Sequence, residues 1–222
     1  WLNECEGFGD WKKVRHIVLI MIGNEPVETF EKTVEELSKQ TLPLKQIAVV
    51  LATEERFSSG QIGGEKLKKI YEKKFGAFLI TVHPSNIAGE IKGKSSNESW
   101  AAKEAKNILV DEKGWPIEYL TITSNDSDAI LHSQYFACLT YKFLDDPNRY
   151  EKFWQPAIVF YNNIWRIPAI TRVVNIFSNI WQTGLLVSKD RIINFSNYSG
   201  SLKMIDQIGY WDTDVIPEDY RI

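Results

Sequence analysis

The sequence predicts an α/β fold, a mostly parallel sheet with helices on both faces. Three observations carry that prediction. Apolar runs of strand length recur through the first half of the chain, helix-periodic segments separate them, and each run ends in a polar or acidic group. Strands buried on both faces read as continuous apolar runs, and their alternation with helices implies parallel crossover units.

The first run, HIVLIMI (residues 16–22), is a strand that stops at Gly23, Asn24, Glu25 and Pro26. Val27, Phe30, Val34 and Leu37 then recur at spacings of three and four, with Pro26 suited to a helix's first turn. QIAVVLA (46–52) is the second strand, ending in Thr53, Glu54 and Glu55. Residues 65–75 are helical by the spacing of Leu67, Ile70 and Lys74, and AFLITV (77–82) is the third strand. The polar, glycine-containing stretch 83–99 reads as a loop. It leads into a helix carrying Ala101, Ala105, Ile108 and Leu109. IEYLTIT (117–123) is a further strand, and Phe136, Leu139 and Phe143 mark the helix beyond it.

After about residue 150 the pattern changes. Residues 152–182 are rich in Trp, Phe and Ile and interrupted by prolines, which suits a pocket wall, a membrane-facing amphipathic surface or a core helix with a loop. A short strand is expected near 185–187, then a helix with Leu202, Ile205 and Ile208 that Gly209 ends. One domain over 1–222 is expected, with a ligand-binding half at about 14–150 and a second half at about 151–222.

With 222 residues and 25.6 kDa the chain can bury a full core. A net charge of -3, with Lys and Arg dispersed, leaves no electrostatic footprint for nucleic acid. Two cysteines, Cys5 and Cys138, exclude a disulfide framework or a thiolate metal site. Asn-x-Ser triplets stand at Asn97, Asn125, Asn194 and Asn197, but a glycan on Asn125 would sit against the neighbouring acids, so a reducing cytoplasmic setting fits better. No stretch approaches the roughly 20 apolar residues that span a bilayer. The start at Trp1, without a methionine, reads as the edge of a longer protein.

The stretch TITSNDSDAILH (121–132) places Asp126 and Asp128 where an apolar strand stops. Adjacent carboxylates repel unless the site is wet or a cation neutralises it. A helix-loop-helix calcium site fails, because loop positions six and twelve are Leu131 and Ala137 rather than Gly and an acid. A haloacid-dehalogenase phosphatase would open its first strand with the motif and carry Thr or Val at the place of Ile130, whereas several strands precede it here. The third chemistry is a divalent cation, Mn²⁺ or Mg²⁺, bridging the carboxylates and a nucleoside diphosphate. A solvated turn is the plain alternative. In parallel sheets ligands bind at the carboxyl ends of the strands, so the polar ends of the first, second and fourth strands would share one rim.

Four motifs in order resemble the family-2 glycosyltransferases of the A-type fold. They are Asn24-Glu25 with the helix ending Ser38-Lys39-Gln40-Thr41, KGKSSN (92–97), NDSDAILHSQYF (125–136) and GYWDTDVIPEDYRI (209–222). The resemblance implies that Asp126 and Asp128 hold the metal against a nucleotide-sugar diphosphate, with Asp128 as the direct ligand and Asp126 in contact with the ribose or a metal-bound water. It places Asn24, Glu25, Glu54 and Glu55 around the nucleoside, and Lys94 and Asn97 beside the base and phosphates. His132, four residues past Asp128, is within reach of the metal, although a surface or core histidine is the plainer reading. Asp219, with Glu218 beside it, corresponds to the family's general base, while acids after Pro217 also suit a helix start.

The resemblance therefore implies a metal-dependent inverting glycosyltransferase acting on a glycan or lipid-linked acceptor. It would be the cytoplasmic domain of a membrane-associated protein that makes a cell-surface polysaccharide. A non-catalytic nucleotide-sugar-binding domain is the alternative. The sequence departs from the family at the second strand, which ends in Thr53-Glu54-Glu55 rather than an aspartate motif, and it stops before any Gln-x-x-Arg-Trp segment.

Overall fold

The computed structural model describes residues 9–160, 164–187 and 196–214. Its sheet has six strands: β1 (Arg15–Met21), β2 (Ile47–Glu54), β3 (Ala77–His83), β4 (Leu120–Asp126), β5 (Phe153–Trp154) and β6 (Tyr198–Ser201). The spatial order is β3-β2-β1-β4-β6-β5. The first four strands are mutually parallel, and β6 runs antiparallel to both β4 and β5.

The strands alternate their side chains between two cores, as pleated geometry requires. Val18, Ile20 and Ile22 join Val49 and Leu51 beneath α1 (Val27–Leu37), α2 (Ser58–Tyr71) and α4 (Tyr135–Asp145). Ile17, Leu19 and Met21 join Val50 and Ala52 against α3 (Lys94–Lys106) and α6 (Leu202–Ile208). The chain moves outward from β1 to β2 to β3, then crosses back to β4 on the other side of β1. Right-handed crossovers put the outward connections, α1 and α2, on one face and the returning α3 on the other.

Helix α2 sits close to its neighbours because it carries glycines. A Cβ on Gly63 would stand 2.7 Å from Val27 and 2.8 Å from Phe30 on α1. The small face of α3 (Ala101, Ala102 and Ala105) plays the same part on the opposite side.

The structure corrects several expected boundaries. The loop expected over 83–99 ends earlier, since α3 begins at Lys94, and a π-helical segment, Asn107–Glu112, extends it. Helix α2 starts at Ser58, ahead of the expected 65. No strand forms at 185–187, where α5 (Ala169–Leu186) ends. The core-helix reading of 152–182 fails as well, because α5 has no buried residue. Gly209 does end α6, in the left-handed conformation at φ 88°.

His16 on β1 is fully buried. Its Nδ1 lies 2.7 Å from Thr121 Oγ1 and its Nε2 2.8 Å from Thr140 Oγ1, which ties β1 to β4 and α4. Burial pushes its pKa down to about 3 from the ordinary 6.5. Between those values the unfolded chain takes up a proton that the folded chain refuses, so stability falls as pH falls. The expected loss approaches about 1.4 kcal/mol per pH unit below 6.5. His16→Gln should flatten that slope between pH 6.5 and 4.5 in urea titrations, and an unchanged slope would count against this account. Gly76→Ala should also destabilise, by about 1–3 kcal/mol. Its Cβ would lie 2.3 Å from the Lys45 carbonyl oxygen, and the cost should show as a lower urea midpoint.

Candidate functional site

Strand order reverses between β1 and β4, and a cleft of about 440 Å³ opens at their carboxyl ends. Crevices of this kind are the ligand sites of open α/β sheets. The register pairs Met21 with Asp126, so the acid sits directly across from the end of β1.

The turn after β4 is built from its own polar groups. The Asn125 amide donates to the carbonyls of Asp126 (2.9 Å) and Ala129 (3.2 Å), and Thr33 on α1 donates to the Ser127 carbonyl at 2.6 Å. Asp126 and Asp128 both line the cleft, the first partly buried and the second exposed.

Asp126 is held on three sides. Its Oδ1 lies 3.0 Å from Lys94 Nζ, its Oδ2 accepts from the Ser196 hydroxyl, and its backbone N–H donates to Asn197 Oδ1 at 2.8 Å. Ser196 adopts φ 59°, which side-chain-bearing residues avoid unless contacts hold them there. The ion pair itself is part-exposed, so it contributes less than about 1 kcal/mol.

Other expected residues gather at the same cleft. Glu25 accepts from the Gly23 backbone N–H at 2.6 Å, and Glu54, at the end of β2, pairs with Arg56 Nε at 2.6 Å. Asn97 donates from Nδ2 to the Ala52 carbonyl at 2.8 Å, tying α3 to the end of β2. Its Oδ1 is buried without a hydrogen-bond partner, so a ligand N–H or O–H would satisfy it. Thus Glu25, Glu54, Lys94, Asn97, Asp126 and Asp128 line one cleft.

Three expected residues do not line it. Asn24 is exposed beside the cleft. Glu55 accepts from Ser85 N–H at 2.9 Å, and hydrogen bonds from the Ser85 backbone and side chain hold its carboxyl below the usual range. His132 is exposed, and its Nδ1 accepts from the Gln134 N–H at 3.2 Å. Glu218 and Asp219 lie outside the described residues.

Arg56 and Phe57 were not expected, yet both line the cleft, with the guanidinium 4.8 Å above the ring centroid. They stand just past the acidic end of β2, so reading two residues further would have found them. Ser196 and Asn197 carry no local signal, because only the pairing of Ser124 with Tyr198 brings them to Asp126.

Among the described residues no cluster of three or more His, Cys, Asp or Glu could hold a metal. The chain would supply two carboxylates, which suits Mg²⁺ or Mn²⁺ completed by substrate phosphates. The Lys94 ammonium beside Asp126 is a stand-in cation at that position. Asn97, Asn125 and Asn197 are buried, so none of these three triplets can carry a glycan in the folded chain.

No family model and no curated protein matches this sequence. Solved structures do. A mannosyltransferase, PcManGT from Pyrobaculum calidifontis in complex with GDP-Man and Mn²⁺, matches with a TM-score of 0.59 and 14% identity, over 93% of this chain and 50% of its own. S. aureus TarS 1-349 in complex with UDP matches with a TM-score of 0.58 and 12% identity, over 93% and 53%. The fold is GT-A-like. The same TarS segment with UDP-GlcNAc gives a TM-score of 0.50 at 10% identity, over 93% of this chain and 51% of that one. The chain spans about half the length of these neighbours.

Proposed function

We propose that this chain is the catalytic domain of a metal-dependent, inverting glycosyltransferase of the family-2 type, using a nucleoside-diphosphate sugar as donor. The observation that carries this reading is the pair Asp126 and Asp128 at the switch point of a GT-A-like sheet, in one cleft with Glu54, Lys94 and Asn97. Glu54 and Asp126 sit on β2 and β4, two strand spacings or roughly 10 Å apart, which suits a nucleoside at one end and a diphosphate at the other.

A divalent cation held by Asp126 and Asp128 would neutralise charge on the departing diphosphate. Lys94 adds a positive charge beside them, and Asn97 Oδ1 accepts a hydrogen bond from the donor. Arg56 and Phe57 offer a flat surface with hydrogen-bond donors at the β2 end. Asp219 takes the proton from the acceptor hydroxyl as its oxygen bonds to the anomeric carbon and the bond to the diphosphate breaks. One displacement of this kind inverts the centre. The acceptor is a glycan or lipid-linked sugar, and the alternative is a domain that binds the donor without turnover.

Melting the protein with UDP, GDP, CMP or TDP, each with Mn²⁺ or a chelator, tests the donor site. One nucleotide should stabilise by about 2.7 kcal/mol at a hundredfold excess over its Kd, only with Mn²⁺, and Asp128→Ala should abolish the shift. Asp219→Asn should keep the shift and lose release of nucleoside diphosphate. No shift with any nucleotide would sink the donor reading. A shift without turnover in the full-length protein would favour the binding domain.

The same reading places the domain on the cytoplasmic face of a membrane, in a protein that builds a cell-surface polysaccharide, and α5 supports the membrane part. The helix is turned inside out. Arg172, Asn175, Asn179 and Gln182 are half-buried against the protein, while Ile170, Phe177 and Trp181 are 81%, 67% and 70% exposed. At 100° per residue the apolar side chains fill about half of the helix circumference without a charge among them. A helix of this kind suits the plane of a lipid interface. Among the described residues no helix is long and apolar enough to cross a membrane. The protein should co-sediment with vesicles of mixed neutral and anionic lipid, and Phe177→Ser with Trp181→Ser should weaken that binding at least about tenfold. Equal sedimentation of the variant would remove α5 from this role.

A further inference from the structure

The cleft holds a lysine at a point where two cations could not both sit. Lys94 Nζ lies 3.0 Å from Asp126 Oδ1, and both side chains are about one-third exposed. Asp126 cannot turn away, because Ser196 holds its Oδ2 and Asn197 holds its backbone N–H. Lys94 is the first residue of α3 and reaches Asp126 on a flexible four-carbon stem, with its Nζ also 3.5 Å from the Ser196 carbonyl oxygen. The residue before it, Gly93, has nothing within 4 Å of where a Cβ would stand, so space is open at the helix start.

We propose that Lys94 is a tethered counter-ion: in the free protein it occupies the cation's place at Asp126, and it moves to the diphosphate when donor and divalent cation bind. This inference rests on the donor-site reading above. An ammonium in contact with Oδ1 repels a dication approaching the same carboxylate, so the free site resists the metal alone. A diphosphate brings new anionic oxygens into the cleft and gives Lys94 another partner, which frees Asp126 for the metal. Nucleotide and metal then each tighten the other, by the same factor in both directions. Asp128, exposed two residues further on, has no such competitor among the contacts observed, so Asp126 is the ligand under control.

Mn²⁺ binding, followed by electron paramagnetic resonance of the free ion, reads this without any turnover. Lys94→Met and Lys94→Arg are compared with the native protein, first with Mn²⁺ alone and then with Mn²⁺ plus UDP or GDP. Circular dichroism checks that each variant is folded. Lys94→Met should bind Mn²⁺ alone more tightly than the native protein, by up to roughly fivefold, the factor expected when a part-exposed ion pair no longer has to break. Its gain from added nucleotide should be correspondingly smaller. Lys94→Arg keeps a cation at Asp126 and should stay near the native values.

Equal Mn²⁺ affinity and equal nucleotide gain in all three proteins would overturn the tethered counter-ion, while leaving the metal and donor site in place. No Mn²⁺ binding to any of them, even with nucleotide, would overturn the donor-site reading and this inference together.

Discussion

The site depends on the adjacency of β1 and β4. Parallel strands in this sheet pair in one register, with Met21 opposite Asp126 and Ala52 opposite Met21. A slip of one residue would carry the β4 side chains to the opposite face and move Asp126 off the end of β1. Both faces of β1 are buried under helices, so such a slip would also drive Thr123 and Asn125 into apolar surroundings built for Ile122. Hydrophobic burial on two faces therefore fixes where a carboxylate stands at the rim. His16 reinforces that register from the other end of β1, through hydroxyls on β4 and α4.

The returning crossover supplies the remaining constraint. Helix α3 begins beside the cleft, and its first turn is polar but buried. Ser95 and Ser96 donate to the carbonyls of Asp212 and Ile91, and the Ile91 N–H donates to the Thr213 carbonyl at 2.8 Å. Trp211, buried nearby, donates to the Tyr198 hydroxyl at 2.6 Å. The start of α3, the strand β6 and the segment through Asp214 are thus one hydrogen-bonded unit around Lys94 and Asn97. Lys94, the side chain proposed to change partners, is thus mounted on backbone that these bonds hold in place.

The parallel core was legible because it obeys a simple rule. Strands buried on both faces are mostly apolar, as in β1 and β2, while β3 keeps an apolar run at the sheet edge and β4 shows only its Leu120 and Ile122 before buried Thr, Ser and Asn take over. The acid pair was legible because it interrupts one of them. What could not be read is what tertiary contacts decide. The KSSN start of α3 looks like a loop, since Ser and Asn favour turns, and only carbonyls from distant segments make those side chains compatible with a buried helix. The three glycines of α2 argue against helix locally, yet they permit close approach to α1 and β3. Strand β6, YSGS, has no apolar run, and its place beside β4 follows from pairing alone. Helix α5 has a clear apolar period, but period does not say which way that face points.

The electrostatics of the rim follow from where its charged groups stand. Among the described residues four carboxylates line the cleft, Glu25, Glu54, Asp126 and Asp128, and Lys94 pairs with Asp126 while Arg56 pairs with Glu54. A dication on Asp126 and Asp128 would have its coordination sphere completed by phosphate oxygens, so in the proposed donor site metal and donor would stabilise each other. The strained backbone at Ser196 belongs to the same economy. It costs on the order of 1–3 kcal/mol, and it holds the Asp126 carboxylate in one orientation before any ligand arrives. A carboxylate left to rotate would form the same ion pair with Lys94 in several geometries and release it to none in particular. With Asp126 held by Ser196 and Asn197 and Lys94 on a flexible stem, the proposed exchange would leave one group a ligand while the other changes partners.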